Sequence, residues 1–200
     1  MSLSAQQAQR FFGPLAGKTT TFLVGDRRTN LSFARCVAFL AAAEGRRCTV
    51  FDADGFYSSN AGEILSGLPQ AASDSISIRV PKPGSSLESE LPALFRSDSQ
   101  VIILESLNTL HHLFSPAGAG SRGRKLAFAV AALSTLARSN GSACLLVMYR
   151  REKVVRSRGG GSISSLSDAA VYVEEVDSEL RMRCERGDIW PDGAFSASLT

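Results

Sequence analysis

Thr19-Thr-Thr-Phe-Leu-Val24-Gly25-Asp26-Arg27-Arg28-Thr29-Asn30-Leu31-Ser32 is a strand running through a turn into a helix. Thr19 to Val24 is apolar and rich in β-formers, and Gly25 ends it. From Asn30 to Glu44, alanine, phenylalanine and leucine recur at helical spacing, closed by Gly45 at the C′ position. The same alternation continues downstream. Cys48 to Phe51 reads as a second short strand ending at Asp52, and Ile76 to Val80 as a weakly alternating one. Gln100 to Leu104 and Ala143 to Met148 are continuous apolar runs of the kind buried on both faces of a parallel sheet. Helices are expected over Glu63 to Leu68, Leu87 to Arg96 and Lys125 to Ser139, the last stopped by Asn140-Gly141. Pro81 to Ser86 and the glycine-rich Phe114 to Gly123 read as connections, the latter as a mobile one. Ala169 to Val176 and Glu179 to Glu185 alternate like an antiparallel hairpin turning at Asp177-Ser178, and Gly193 to Thr200 adds a last edge strand. These elements predict one α/β core domain over 1–200. Its central sheet is mostly parallel and flanked by helices, with antiparallel strands at the C-terminal edge.

Composition narrows the functional classes. Apolar residues make up 44% of the 200-residue chain and charged residues 20%, enough for one well-buried core. Cys36, Cys48, Cys144 and Cys184 form no C-x-x-C pair, and His111 and His112 are adjacent, so zinc-ligand spacing is absent and no metal site is expected. The cysteines read as reduced core residues. No basic-then-apolar leader and no run of roughly 20 apolar residues is present, which predicts no membrane association and a cytoplasmic protein, or a nuclear one in a eukaryote.

Two segments invite comparison with a phosphate-binding loop. Gly13-Pro-Leu-Ala-Gly17-Lys18-Thr19 has one residue too few between its glycines and precedes a strand, so it reads as a turn. A phosphate loop must follow a strand and open a helix, because only then do backbone N–H groups and the helix dipole converge on the anion. Gly25 to Ser32 is in that place. Its frame is G-x4-N-L-S against the expected G-x4-G-K-[ST], with Asn30 for the second glycine and Leu31 for the lysine. Leucine cannot neutralise phosphate charge, which is most of phosphoryl-transfer catalysis. The nucleotide-binding candidates are therefore Gly25, Asn30 and Ser32, in a degenerate loop, with Ser32 left as a magnesium ligand.

In order along the chain, these segments resemble the RecA/RadA recombinase superfamily, especially the short archaeal RadB-like paralogs. Gly25 to Ser32 sits at the Walker A position. Phe51-Asp52-Ala53-Asp54-Gly55-Phe56 is similar to the family's I-D-T-E-G-x-F, with Asp54 at the water-polarising glutamate. Val101-Ile-Ile-Leu-Glu105-Ser106-Leu107 is similar to Walker B, with Glu105 for the aspartate. Leu145 to Arg150 resembles the strand whose tip usually reads T-N-Q, and Trp190 to Phe195 the closing P-x-G-x-x-F. The departures fall on the catalytic positions: the lysine is missing, and both acids are displaced by one methylene, roughly 1.5 Å, which costs orders of magnitude in rate. The resemblance thus implies a non-hydrolysing paralog without the N-terminal helical domain of full recombinases. Asp54 and Glu105 are vestigial catalytic candidates. No cofactor is expected, ATP with magnesium being the one candidate. A divergent ATPase of the RecA/KaiC type and a protein-binding scaffold are the alternatives.

Within that resemblance, the loops after two central strands bind DNA, and both are basic here. The first, His111 to Lys125, carries Arg122, Arg124 and Lys125 with three glycines and no acid. The second, Arg150 to Gly161, carries Arg150, Arg151, Lys153, Arg156 and Arg158 against Glu152 alone. Its +4 exceeds the whole chain's +3, so positive charge is concentrated there. Tyr149, His111, His112 and Phe114 offer faces for base stacking. DNA is the expected partner, single-stranded before double-stranded, in recombination or repair. Phe114-Ser-Pro-Ala117 fits the F-x-x-A plug by which recombinases dock on a neighbour, implying a recombinase partner or a homo-oligomer; Phe39-Leu-Ala-Ala42 matches the pattern inside a core helix.

Overall fold

The computed structural model describes residues 3–82, 90, 92, 98–110, 119–150 and 166–199, with only the backbone for 110 and 119–123. Its centre is an eight-stranded sheet in the order β3-β2-β4-β5-β1-β6-β7-β8. The strands are β1 (Thr19–Val24), β2 (Cys48–Asp52), β3 (Ile76–Arg79), β4 (Val101–Glu105), β5 (Ala143–Tyr149), β6 (Ala169–Val176), β7 (Glu179–Arg186) and β8 (Ala194–Ser198). Pairing is parallel from β3 through β6 and antiparallel for β6–β7 and β7–β8. This is the predicted sheet with its antiparallel edge. The hairpin turns where expected: Asp177 and Ser178 have φ of 51° and 61°, the two left-handed positions of a tight I′ turn.

Side chains alternate between two cores because successive strand residues face opposite ways. Val101 and Ile103 of β4 and Leu145 and Val147 of β5 join one core with α1 (Ala5–Phe12), α2 (Arg27–Ala43) and α3 (Phe56–Ile64). Ile102, Leu104, Cys144 and Leu146 face the other, under α6 (Ala119–Asn140), which contributes Leu126, Ala129, Val130, Leu133 and Ala137. Two short helices are α4 (Gln70–Asp74) and α5 (Leu107–Leu110). Among the described residues, no helix is long and apolar enough to cross a membrane.

Several elements differ from the sequence expectation, which included neither α4 nor α5. α1 was not anticipated; a Ser4/Gln7 capping box starts it, and Phe11 packs on Trp190 and Phe195 at ring separations of 5.9 and 5.1 Å. α3 begins at Phe56 and ends near where a helix over Glu63 to Leu68 was expected to begin. The buried Asp52 carboxylate accepts the Tyr57 and Ser58 N–H groups at 3.1 and 2.8 Å, which starts the helix early. α2 begins at Arg27, three residues ahead of expectation. α6 begins at Ala119 in spite of Gly120 and Gly123, since its apolar stripe anchors the helix downstream. Arg122, Arg124 and Lys125 therefore sit on a helix, not in a loop. Residues 90 and 92 are helical, and the rest of the expected helix over Leu87 to Arg96 lies outside the described residues, as does most of the connection before it. Phe39 to Ala42 lies inside α2, as expected, with Phe39 to Ala41 buried and Ala42 half-buried.

Candidate functional site

Parallel pairing brings the ends of β1, β2, β4 and β5 to one edge of the sheet. Val24 is level with Tyr149, and Asp52 with Glu105. In open α/β sheets, ligands bind outside these carboxyl ends.

The strand-to-helix turn at this edge is short. Only Gly25 and Asp26 separate β1 from α2, so Asn30, Leu31 and Ser32 are already helical. Asp26 is the N-cap: its carboxylate accepts the Thr29 N–H at 2.8 Å. That backbone hydrogen bond holds its pKa below the ordinary carboxylate value. The chain thus supplies its own anion at the helix N-terminus, where the dipole favours negative charge. A side chain at Gly25 would meet nothing within 4 Å, so close approach does not demand the glycine. Leu31 packs against the core. The Ser32 hydroxyl donates to Glu175 on β6 at 2.6 Å, and Arg28 reaches the same carboxylate at 3.1 Å. Ser32, anticipated as a magnesium ligand, is thereby paired with the hairpin.

Asn30 is fully buried. Its Nδ2 donates to Glu105 Oε1 at 2.9 Å and to Tyr149 Oη at 2.7 Å. Glu105 is also fully buried, and its pKa is pushed well above the ordinary range by burial first and by Asp54 second. Burial thus disfavours the charged carboxylate. Glu105 Oε2 and Asn30 Oδ1 have no hydrogen-bond partner among the described residues. Burial and Glu105 together push the Tyr149 hydroxyl upward as well. Asp54 accepts the Phe56 N–H at 3.2 Å and faces the Ser106 hydroxyl at 3.4 Å. The Glu105–Ser106 peptide is cis. Among the described residues, no group of three or more His, Cys, Asp or Glu is arranged to hold a metal ion.

Of the residues that motif alignment selects, the structure joins Asn30 to Glu105 and sets Asp54 against Ser106. Motif alignment misses the roles of three residues. Tyr149, expected at the T-N-Q strand tip and as a stacking face, instead accepts a hydrogen bond from Asn30. Asn108 on α5 pairs with the Tyr149 backbone, accepting its N–H at 2.7 Å and donating to its carbonyl at 3.3 Å. Asp52 caps α3; an acid three residues before a glycine that opens a helix was the signal available.

The basic candidates are only partly visible. Arg150 follows β5 directly; its N–H donates to the Val24 carbonyl at 2.9 Å. Its guanidinium lies 3.4 Å from Glu185 and 5.0 Å from the Tyr172 ring centroid. Arg124 is exposed and Lys125 half-buried on the first turns of α6. α6 runs back along the sheet before β5, so these turns lie at the end where β5 finishes. The Arg122 side chain and Arg151, Lys153, Arg156, Arg158, His111, His112 and Phe114 to Ala117 lie outside the described residues.

No protein-family model matches the chain, and no curated protein matches it in sequence. Among solved structures, the crystal structure of the RadB recombinase superposes with a TM-score of 0.65 and 12% identity, over 92% of this chain and 88% of that one. That likeness shows the RecA-like core fold expected from the motif order; at such identity it speaks to the fold alone.

Proposed function

We propose that this chain is a RecA-fold protein that has given up nucleotide hydrolysis and binds DNA, single strands before double strands, assisting recombination or repair beside a motor-competent recombinase. The observation that carries the reading is Asn30, whose side chain fills the second-glycine position and is bonded to the acid that would otherwise face a metal. The residues present do not fit ATP with magnesium. Leu31 brings no charge, the Asp26 carboxylate already caps the helix, Ser32 is bonded to Glu175, and burial favours neutral Glu105.

DNA binding is supported by charge distribution. Arg122, Arg124 and Lys125 belong to a helix whose start shares an end of the sheet with Arg150, and Arg151, Lys153, Arg156 and Arg158 follow Arg150 in sequence. Cations gathered at one end neutralise phosphates and release counterions, so affinity falls steeply with salt. The recombinase likeness in fold supports the pathway by analogy.

The test is fluorescence anisotropy of a labelled single-stranded oligonucleotide over a salt series, with the wild type and Arg156→Gln/Arg158→Gln. Removing two phosphate contacts should weaken binding across all sequences and flatten the log–log salt slope by about 1.4. An unchanged slope removes these residues from the interface. Magnesium-dependent turnover abolished by Glu105→Gln would instead establish a divergent ATPase, and recombinase copurification without DNA affinity a scaffold.

A further inference from the structure

The Asn30 carboxamide ties together three elements at their ends, beyond the core that they share. It projects from the first turn of α2 and spans the end of β4 at Glu105 and the end of β5 at Tyr149, at 2.9 and 2.7 Å. Asn108 grips the Tyr149 backbone from α5 with both its amide atoms. The next N–H, that of Arg150, is held by the Val24 carbonyl of β1. Glycine at position 30 would leave the β4 acid and the β5 tip without this link; asparagine supplies it from a side chain anchored on α2. We propose that Asn30 is a positioning residue, an internal surrogate for a bridging ligand, which holds Tyr149 and Arg150 in their binding geometry without any nucleotide.

This inference rests on the DNA-binding reading, and its test separates the two. Hydrogen exchange at the Tyr149 and Arg150 amides and anisotropy of labelled oligothymidylate are measured for the wild type, Asn30→Ala and Tyr149→Phe. The phenylalanine variant keeps the ring and removes only the hydroxyl, so it carries the test alone if the alanine variant fails to fold. Loss of one such bond should speed exchange at these two amides by about tenfold. Amides within β1 should be unchanged, and the oligothymidylate Kd should weaken about three- to tenfold. Unchanged exchange and affinity in a folded Tyr149→Phe protein would overturn the surrogate role, as would wild-type affinity that rises on adding ATP with magnesium. Wild-type protein without DNA affinity would overturn the DNA reading, while the exchange rates would still decide whether the bridge holds the strand end.

Discussion

Glu105→Gln should stabilise this protein at neutral and alkaline pH, the opposite of what loss of a buried, hydrogen-bonded acid usually does. Burial holds the Glu105 pKa above its ordinary value of 4.5. Between that value and the raised folded one, the native state keeps a proton that the unfolded chain has released. The stabilising contribution is complete below the unfolded value and is lost as pH climbs toward the folded one. The limiting slope for one proton is about 1.4 kcal/mol per pH unit. Glutamine matches the neutral acid in shape and keeps the acceptor that Asn30 Nδ2 uses at 2.9 Å. At about pH 4 the two proteins should therefore differ by less than ~1 kcal/mol, one hydrogen bond's net worth. Above it the glutamine variant should gain progressively, because only the wild type is penalised. Urea denaturation followed through the single tryptophan, Trp190, which is buried against Phe11 and Phe195, reads this at pH 4, 5, 6, 7 and 8. The difference between the two curves cancels every other titrating group. Parallel curves, or a glutamine variant less stable at pH 8 than at pH 5 relative to wild type, would refute the assignment of Glu105 as a buried neutral acid.

Asn30→Ala should cost about 2 to 3 kcal/mol, since it strands a buried carboxyl oxygen and a phenol. A double-mutant cycle with Tyr149→Phe should return a coupling of at least ~0.5 kcal/mol, and additivity would mean the bridge is absent in solution. Asp26→Ala should lower stability by about 1 kcal/mol through loss of the helix cap, measured by urea denaturation at pH 7. Because the Asp26 pKa is depressed, that difference should shrink as pH falls through its folded value; a constant difference down to pH 2 would contradict the cap. Phe11→Ala should cost about 3 to 5 kcal/mol, because its ring joins α1 to Trp190 and Phe195; a loss under ~1 kcal/mol would show that α1 is not docked.

The sheet was legible where one physical signal dominated. Val101 to Glu105 and Ala143 to Tyr149 are strands because both faces are buried, and a continuous apolar run has few other uses. α1 was hidden because Ala5 to Phe12 is short and polar, and its helix depends on aromatic partners some 180 residues away in the chain. The starts of α3 and α6 were misjudged for different reasons: one is fixed by the buried Asp52 carboxylate at the end of β2, and the other runs through glycines that local propensity would exclude. At the site, spacing singled out Asn30 and Glu105, which a hydrogen bond joins in the fold, and Asp54, which faces Ser106. Spacing alone could not show that Asn30 turns inward to Glu105 while Ser32, two residues on, turns toward Glu175. That choice is made by helix phase, and the phase follows from α2 beginning at Arg27.

The most direct test is anisotropy of labelled single- and double-stranded DNA at several salt concentrations, with and without ATP and magnesium. Salt-sensitive binding that is stronger for single strands and identical with or without the nucleotide is the predicted result. No binding at low salt, or binding that appears only with ATP and magnesium, would contradict it.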